Sequence, residues 1–238
     1  MKKRYLRLAA LTAGVLLTAQ TGLSAAALST FDAAYYAAQY PDVAAVCGND
    51  EGALLRHYLD HGIDEGRKPS ADGIAGDDEL SLTEAQFSSV WSPVAINKLA
   101  HYKSLKHKCT DEEFAQAYQE ALKVVTPLAL MSREDQLYGI ASALRAVVDD
   151  GSMAYSMETN HYNDPYGYFV LRTASCAGCA RATALCLDIL GIPYEHVNEN
   201  QYTHQWCRVP MEDGSYWICD AFGLYCGPEP EPYQHPYF

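Results

Sequence analysis

Residues 175–221 constrain this chain more than any other stretch, because a helical pattern there passes directly into two strand patterns. Between 175 and 191, Ala180, Thr183, Ala184, Leu187 and Leu190 share one helical face. Ser175 is an N-cap residue, and Gly191 with Pro193 after it is a stop signal. The runs 203–209 and 215–221 then read as strands, with 210–214 as hairpin-loop material.

Eight cysteines punctuate the chain, and five of them crowd between 176 and 219. Cys176 falls at the first position of the helix. Unpaired backbone N–H groups and the positive end of the helix dipole favour a thiolate there, and the same N–H groups can receive an oxyanion. Cys179 and Cys186 lie further along, where neither effect is strong. With 210–214 as the whole loop, Val209 faces Ser215 and His204 faces Asp220. Facing side chains lie about 5 Å apart at Cβ, close enough for a carboxylate to orient an imidazole. A slip of one residue would undo the pairing, and Pro210 supports the register because proline cannot donate to the ladder.

These residues carry a resemblance. The segments Ser175-Cys-Ala-Gly-Cys-Ala-Arg-Ala-Thr-Ala-Leu-Cys-Leu-Asp-Ile-Leu-Gly-Ile-Pro193, His204-Gln-Trp-Cys-Arg-Val209 and Gly214-Ser-Tyr-Trp-Ile-Cys-Asp220 resemble the transglutaminase-like superfamily. Its pattern is Cys-x-Gly-Tyr-Ala, a helix ending in Gly-Ile-Pro, His-Ala-Trp, and a Gly-x-Trp-Tyr strand ending in Asp. The resemblance implies a papain-like α+β core, in which the helix carrying Cys176 packs on an antiparallel sheet carrying His204 and Asp220. It implies Cys176 as nucleophile, His204 as base and Asp220 as the residue that orients the base. The expected reaction is acyl transfer on peptide or protein amides, by hydrolysis or by transamidation, with no cofactor and no metal. Cys179, Gln205 and Cys207 depart from the pattern and leave specificity open. A second oxyanion donor is expected from 152–174, where Asn163 and His161 are candidates.

The rest of the chain frames that domain, expected at 110–227. Residues 1–27 have the layout of a secretory signal peptide, with Lys2, Lys3, Arg4 and Arg7 before an apolar stretch and a small-residue cleavage region. The expected location is therefore secreted or cell-surface, with cell-wall or surface association. Removing those four positive and no negative side chains takes the formal charge from -13 to -17. So acidic a chain is a poor partner for nucleic acid or an anionic membrane. Lys98, Lys103, Lys106 and Lys108, with His101 and His107, read as a solvated helix face. Residues 28–70 read as a two-helix unit with the pattern Phe-Asp-x-x-Tyr-Tyr, Pro-Asp-Val, His-Tyr, Gly-x-x-Glu-Gly-Arg. That pattern resembles a short module of bacterial surface and secreted proteins and is expected to be a structural accessory. Residues 71–109 read as linker and helical connector. Helices are expected from the Thr110–Glu113 capping box to before Pro127, and from Ser132 to about Asp149. Residues 152–174 read as a long aromatic loop, and 228–238 as a proline-rich tail.

Three other readings fit parts of the pattern. Cys176-x-x-Cys179 with His204-x-x-Cys207 has zinc-ligand spacing. Cys176-x-x-Cys179 alone at a helix N-terminus suits a redox pair. An inactive binding protein on the same fold would keep all three residues. His57, His61, His196 and His235 read as surface or structural histidines. Trp206 and Trp217 read as packing around the candidate triad or lining a groove.

Overall fold

The computed structural model describes residues 28–201, 203–223 and 225–229. The leader expected at 1–27 and nearly all of the tail expected at 228–238 lie outside the described residues. The chain divides into two compact units, Met1–Ser92 and Pro93–Phe238. Helices and small sheets combine in a mixed α+β architecture. Among the described residues no helix is long and apolar enough to cross a membrane.

In the first unit, strands β1 (Ser29–Thr30) and β2 (Leu80–Ser81) pair in parallel. Two helices were expected over 28–70, and three α-helices lie there: α1 (Ala33–Gln39), α2 (Pro41–Cys47) and α3 (Glu51–His57); α4 (Glu84–Val90) follows in the stretch expected as linker and helical connector. Pro41 restarts a helix instead of ending one, because proline's fixed φ suits the first helical position. The stretch expected as linker and connector divides between the units. Its first part carries α4, opened by a Thr83–Gln86 capping box, and its part from Pro93 onward belongs to the second unit.

The motif residues of this unit bond to one another. The Asp32 side chain caps α1 by accepting the Tyr35 N–H at 2.9 Å. Tyr36 and Tyr58 are fully buried with rings edge to face at 5.6 Å. The Tyr36 hydroxyl lies 3.1 Å from His57 Nδ1, and the Tyr58 hydroxyl donates to the Asp77 carbonyl at 2.7 Å. Gly62 is required because a Cβ there would sit 2.4 Å from the Tyr36 hydroxyl oxygen. Arg67 pairs with Asp42 at 2.8 Å and with Glu65, and its guanidinium lies over the Tyr40 ring.

The second unit contains α5 (Tyr102–Lys106), α6 (Asp111–Val125), α7 (Arg133–Asp149) and α8 (Cys176–Leu190). The expected signals operate. Thr110 and Glu113 form a capping box, Ser132 caps α7, and Gly191 ends α8 in the left-handed conformation with φ of 73°. Leu137, Ile140 and Leu144 form the buried face of α7, with Val147 only half-buried. α8 differs from the one-sided helix its pattern suggested. Every residue from Ala177 to Ile189 is buried, because α5, α6, α7 and two sheet strands pack around it. The polar exceptions are paired: Asp188 accepts from the His101 backbone N–H at 2.8 Å and meets its ring Nδ1 at 2.9 Å. In the lysine cluster, Lys98, Lys103 and Lys108 are exposed, and Lys106 pairs with Asp111.

Residues 152–174 are more ordered than a loop. Strands β3 (Ala154–Tyr155) and β4 (Thr173–Ala174) pair in parallel, and a π-helical turn spans Gly167–Leu171. Tyr168 is fully buried there and donates to the Leu144 carbonyl at 2.6 Å. Two glycines let this segment lie close. A Cβ on Gly178 would fall 2.6 Å from the Tyr162 carbonyl oxygen, and one on Gly167 would fall 1.8 Å from the His161 carbonyl oxygen.

Strands β5 (Glu195–Val197), β6 (Trp206–Pro210), β7 (Tyr216–Asp220) and β8 (Tyr225–Pro228) form one antiparallel sheet in that order. The hairpin register corrects the sequence reading. Val209 pairs with Trp217 and Pro210 with Tyr216, so the loop is 211–215 and the ladder is shifted by two residues from the expected Val209–Ser215 pairing. The Met211 N–H bonds the Ser215 carbonyl at 2.9 Å, while the Tyr216 carbonyl accepts from Glu229 on the other side. Alternation therefore turns the Pro210 nitrogen away from β7, where no ladder donor is needed. His204 also precedes β6 instead of lying within it.

Candidate active site

Cys176, His204 and Asp220 converge although the register differs. A shift of two residues is one side-chain period, so His204 and Asp220 keep the same parity and meet diagonally instead of directly across. His204 Nε2 lies 2.6 Å from Asp220 Oδ2. The other Asp220 oxygen accepts the Gly223 N–H at 2.8 Å, so the turn after β7 fixes the carboxylate. Arg145 holds that turn by donating to the Phe222 carbonyl. Cys176 lies on the same cavity wall as His204, close enough for its sulfur to act on the ring. The Trp206 ring stacks on the imidazole at 5.7 Å, and Asn198 Nδ2 donates to the His204 carbonyl at 3.0 Å.

Electrostatics favour a charged imidazole. Burial alone would lower the His204 pKa. The hydrogen bonds to Asp220 and Cys176, with the negative charge of both partners, outweigh it and push the pKa up to about 9. Cys179, one turn along α8, is in a different state. Burial, reinforced by the charges of Asp220 and Cys176, holds its thiol well above the ordinary range.

Cys176 opens onto a cavity of about 710 Å³. Its lining combines apolar side chains, Tyr155, Met157 and Phe222, with polar ones, Asn163, Arg181 and Asn200. Ser175 shapes the rim. Its backbone N–H and its hydroxyl both bond the Tyr162 carbonyl, at 2.8 and 3.2 Å, and its hydroxyl oxygen accepts the Ala177 N–H. Of the two expected oxyanion donors, Asn163 lines the cavity and its buried Oδ1 has no hydrogen-bond partner among the described residues. His161 does not line it, and its ring bonds Asp164 at 2.8 Å.

Arg181 was passed over in the sequence. It is 1 % exposed, and its guanidinium donates to the Asn163 carbonyl, Glu199 Oε1 and Asn200 Oδ1 at 3.0–3.2 Å. It thereby ties together the two loops that flank the cavity. The signal was present, because Arg181 is the one basic residue in an otherwise apolar helix. Asn198 and Asn200 hold the second loop in left-handed conformations, with φ of 57° and 62°.

The zinc spacing does not become a zinc site. Cys207 donates to the Ala180 carbonyl at 3.4 Å, and the donor atoms of Cys176, Cys179, His204 and Cys207 do not form a compact group. Among the described residues, the group whose donor atoms lie within 4.8 Å of one another is Cys109, His161 and Asp164. His161 Nδ1 lies 2.8 Å from Asp164 Oδ2, and burial pushes the Cys109 thiol up to about 12.

The fold and site together define an α+β unit with a cysteine and a histidine on a cavity wall, the histidine hydrogen-bonded to an aspartate. No family model matches the chain, and no curated protein matches it either.

Proposed function

We propose that this protein is a cysteine-nucleophile acyl-transfer enzyme of transglutaminase-like, papain-like architecture, acting on peptide or protein amides outside the cytoplasm. The observation that carries the reading is the series Cys176–His204–Asp220 at the wall of the cavity. His204 takes the Cys176 thiol proton, and Asp220 stabilises the imidazolium that forms. Cys176 Sγ attacks the amide carbonyl, and the Cys176 backbone N–H, with the Asn163 side chain, receives the oxyanion. His204 gives its proton to the departing amine, leaving a thioester on Cys176. Water or a second amine then takes the acyl group, with His204 as its general base. Asp220 keeps Nε2 protonated and the ring oriented throughout. The apolar lining residues Tyr155, Met157 and Phe222 suit an aliphatic or aromatic side chain of the substrate.

The test compares wild type with Cys176→Ala on a peptide library, with and without an added primary amine. Loss of both cleavage and amine incorporation in the variant is expected. In parallel, iodoacetamide at mildly acidic pH should alkylate Cys176 faster than an ordinary thiol. A sluggish Cys176 with no turnover would leave an inactive binding protein.

A further inference from the structure

Three cysteines lie on one row of the sheet: Cys207 pairs with Cys219, and Cys219 with Cys226. The two pairings are not equivalent. The Glu229 N–H bonds the Tyr216 carbonyl at 2.8 Å, which makes that rung of β7–β8 a hydrogen-bonded one. Alternation from there makes Cys219–Cys226 a non-hydrogen-bonded pair, the closer kind, with Cα atoms about 4.5 Å apart. That lies inside the range of roughly 4.4–6.8 Å that disulfides span. The same reasoning from the Met211–Ser215 bond makes Cys207–Cys219 a hydrogen-bonded pair, about 5.5 Å apart. The Cys207 thiol is turned away toward the Ala180 carbonyl. Cys219 instead makes only a long 3.6 Å contact to the Leu137 carbonyl, and Cys226 faces it across the rung.

We propose that Cys219 and Cys226 are oxidised to a cross-strand disulfide that staples β7 to β8 immediately before Asp220. The oxidant is a disulfide, either a small one such as oxidised glutathione or that of an oxidoreductase in an exporting compartment. Cys226 is half-buried and Cys219 fully buried, so the order is fixed. Cys226 attacks the oxidant's S–S bond, giving a mixed disulfide and releasing one thiol. Cys219 then attacks the Cys226 sulfur, breaking the mixed disulfide and passing its proton to the second departing thiol. Two protein sulfurs are oxidised, one disulfide is reduced to two thiols, and one S–S bond joins the strands. The next rung pairs Asp220 with Tyr225, so the staple pins the strand end that carries the site carboxylate. This inference does not depend on the reading of Cys176 as a nucleophile.

The test uses full-length wild type and Cys176→Ala, each incubated with oxidised glutathione, denatured, alkylated and cut with chymotrypsin. Cleavage after Phe222 separates Cys219 from Cys226 in sequence. The expected result is two peptides joined through a bond that reductant breaks, in both proteins, with an intact mass about 2 Da lower. Cys207→Ala should retain the linkage, and Cys226→Ser should leave Cys219 open to alkylation. Reduction should lower Tm by about 5 °C in wild type and leave Cys226→Ser unchanged. Full alkylation of Cys226 after oxidation, or a Cys207–Cys219 linkage in its place, would overturn the proposal.

Discussion

Two segments of this chain are dense in motif residues, 31–67 and 175–220, and they use those residues in opposite ways. In the first, each motif side chain finds its partner inside the unit. Asp32 caps a helix, Tyr36 meets His57, Tyr58 reaches Asp77, and Arg67 joins Asp42 and Tyr40. In the second, Cys176, His204 and Arg181 line a cavity with Asp220 bonded to His204, and the buried Asn163 oxygen has no hydrogen-bond partner among the described residues. Polar pairing that closes on itself holds a fold together. Polar groups left facing a cavity are what chemistry requires.

Substitutions can break or sharpen that contrast. The largest expected effect is on activity. Cys176→Ala should reduce turnover by about 10³-fold or more with little change in melting, because it removes a reacting atom and no packing. Next is Gly178→Ala, which drives a methyl group into the Tyr162 carbonyl. It should cost about 3 kcal/mol and roughly 10 °C of the second unit's transition. An unchanged melt would show that the 161–163 segment can move away freely. Smaller still, Tyr58→Phe removes a buried hydroxyl and leaves the Asp77 carbonyl short of a donor. A loss of about 1–2 kcal/mol is expected in the first unit, with Cys176 alkylation unaltered. A parallel loss of alkylation rate would mean that the two segments are not separate in role.

The finest comparison is between two histidines of the second unit. His204 is held at about 9 against an ordinary 6.5, so its contribution to stability is complete below pH 6.5 and is lost as pH rises through about 9. His196 is the reverse. Burial, and then the Arg181 charge, hold it down to about 4, so its contribution is complete above pH 6.5 and is lost as pH falls toward 4. Melting curves across that range should show His204→Gln flattening the alkaline limb and His196→Gln the acid limb. The opposite assignment would mean that the Asp220–His204 pair does not stabilise the charged ring.

Much of the site was legible because it depends on local signals. Ser175, Gly191 and the spacing between them fix α8, and through it the helix-terminal position of Cys176. The His204–Asp220 pairing was legible only in parity. Hairpin-loop composition constrains length, but which residues close the turn depends on backbone bonds at Met211 and Tyr216 that the sequence does not display. The first unit was undercounted because Pro41 carries two opposite meanings, a stop or a start. Residues 152–174 looked like a loop because their order comes from distant partners, such as the Leu144 carbonyl that receives Tyr168. Arg181 was visible as an oddity, yet its role needs two loops that only the fold brings together.

The complete burial of α8 divides the labour of future change in this molecule. A helix enclosed on every side tolerates few replacements, so the position of the reactive sulfur is effectively frozen. The segment at 155–163 meets the helix through the Tyr162 and Asn163 backbone carbonyls, and those contacts survive many side-chain exchanges. Altered substrate preference should therefore be sought at Tyr155 and Met157, with the helix and His204 left untouched.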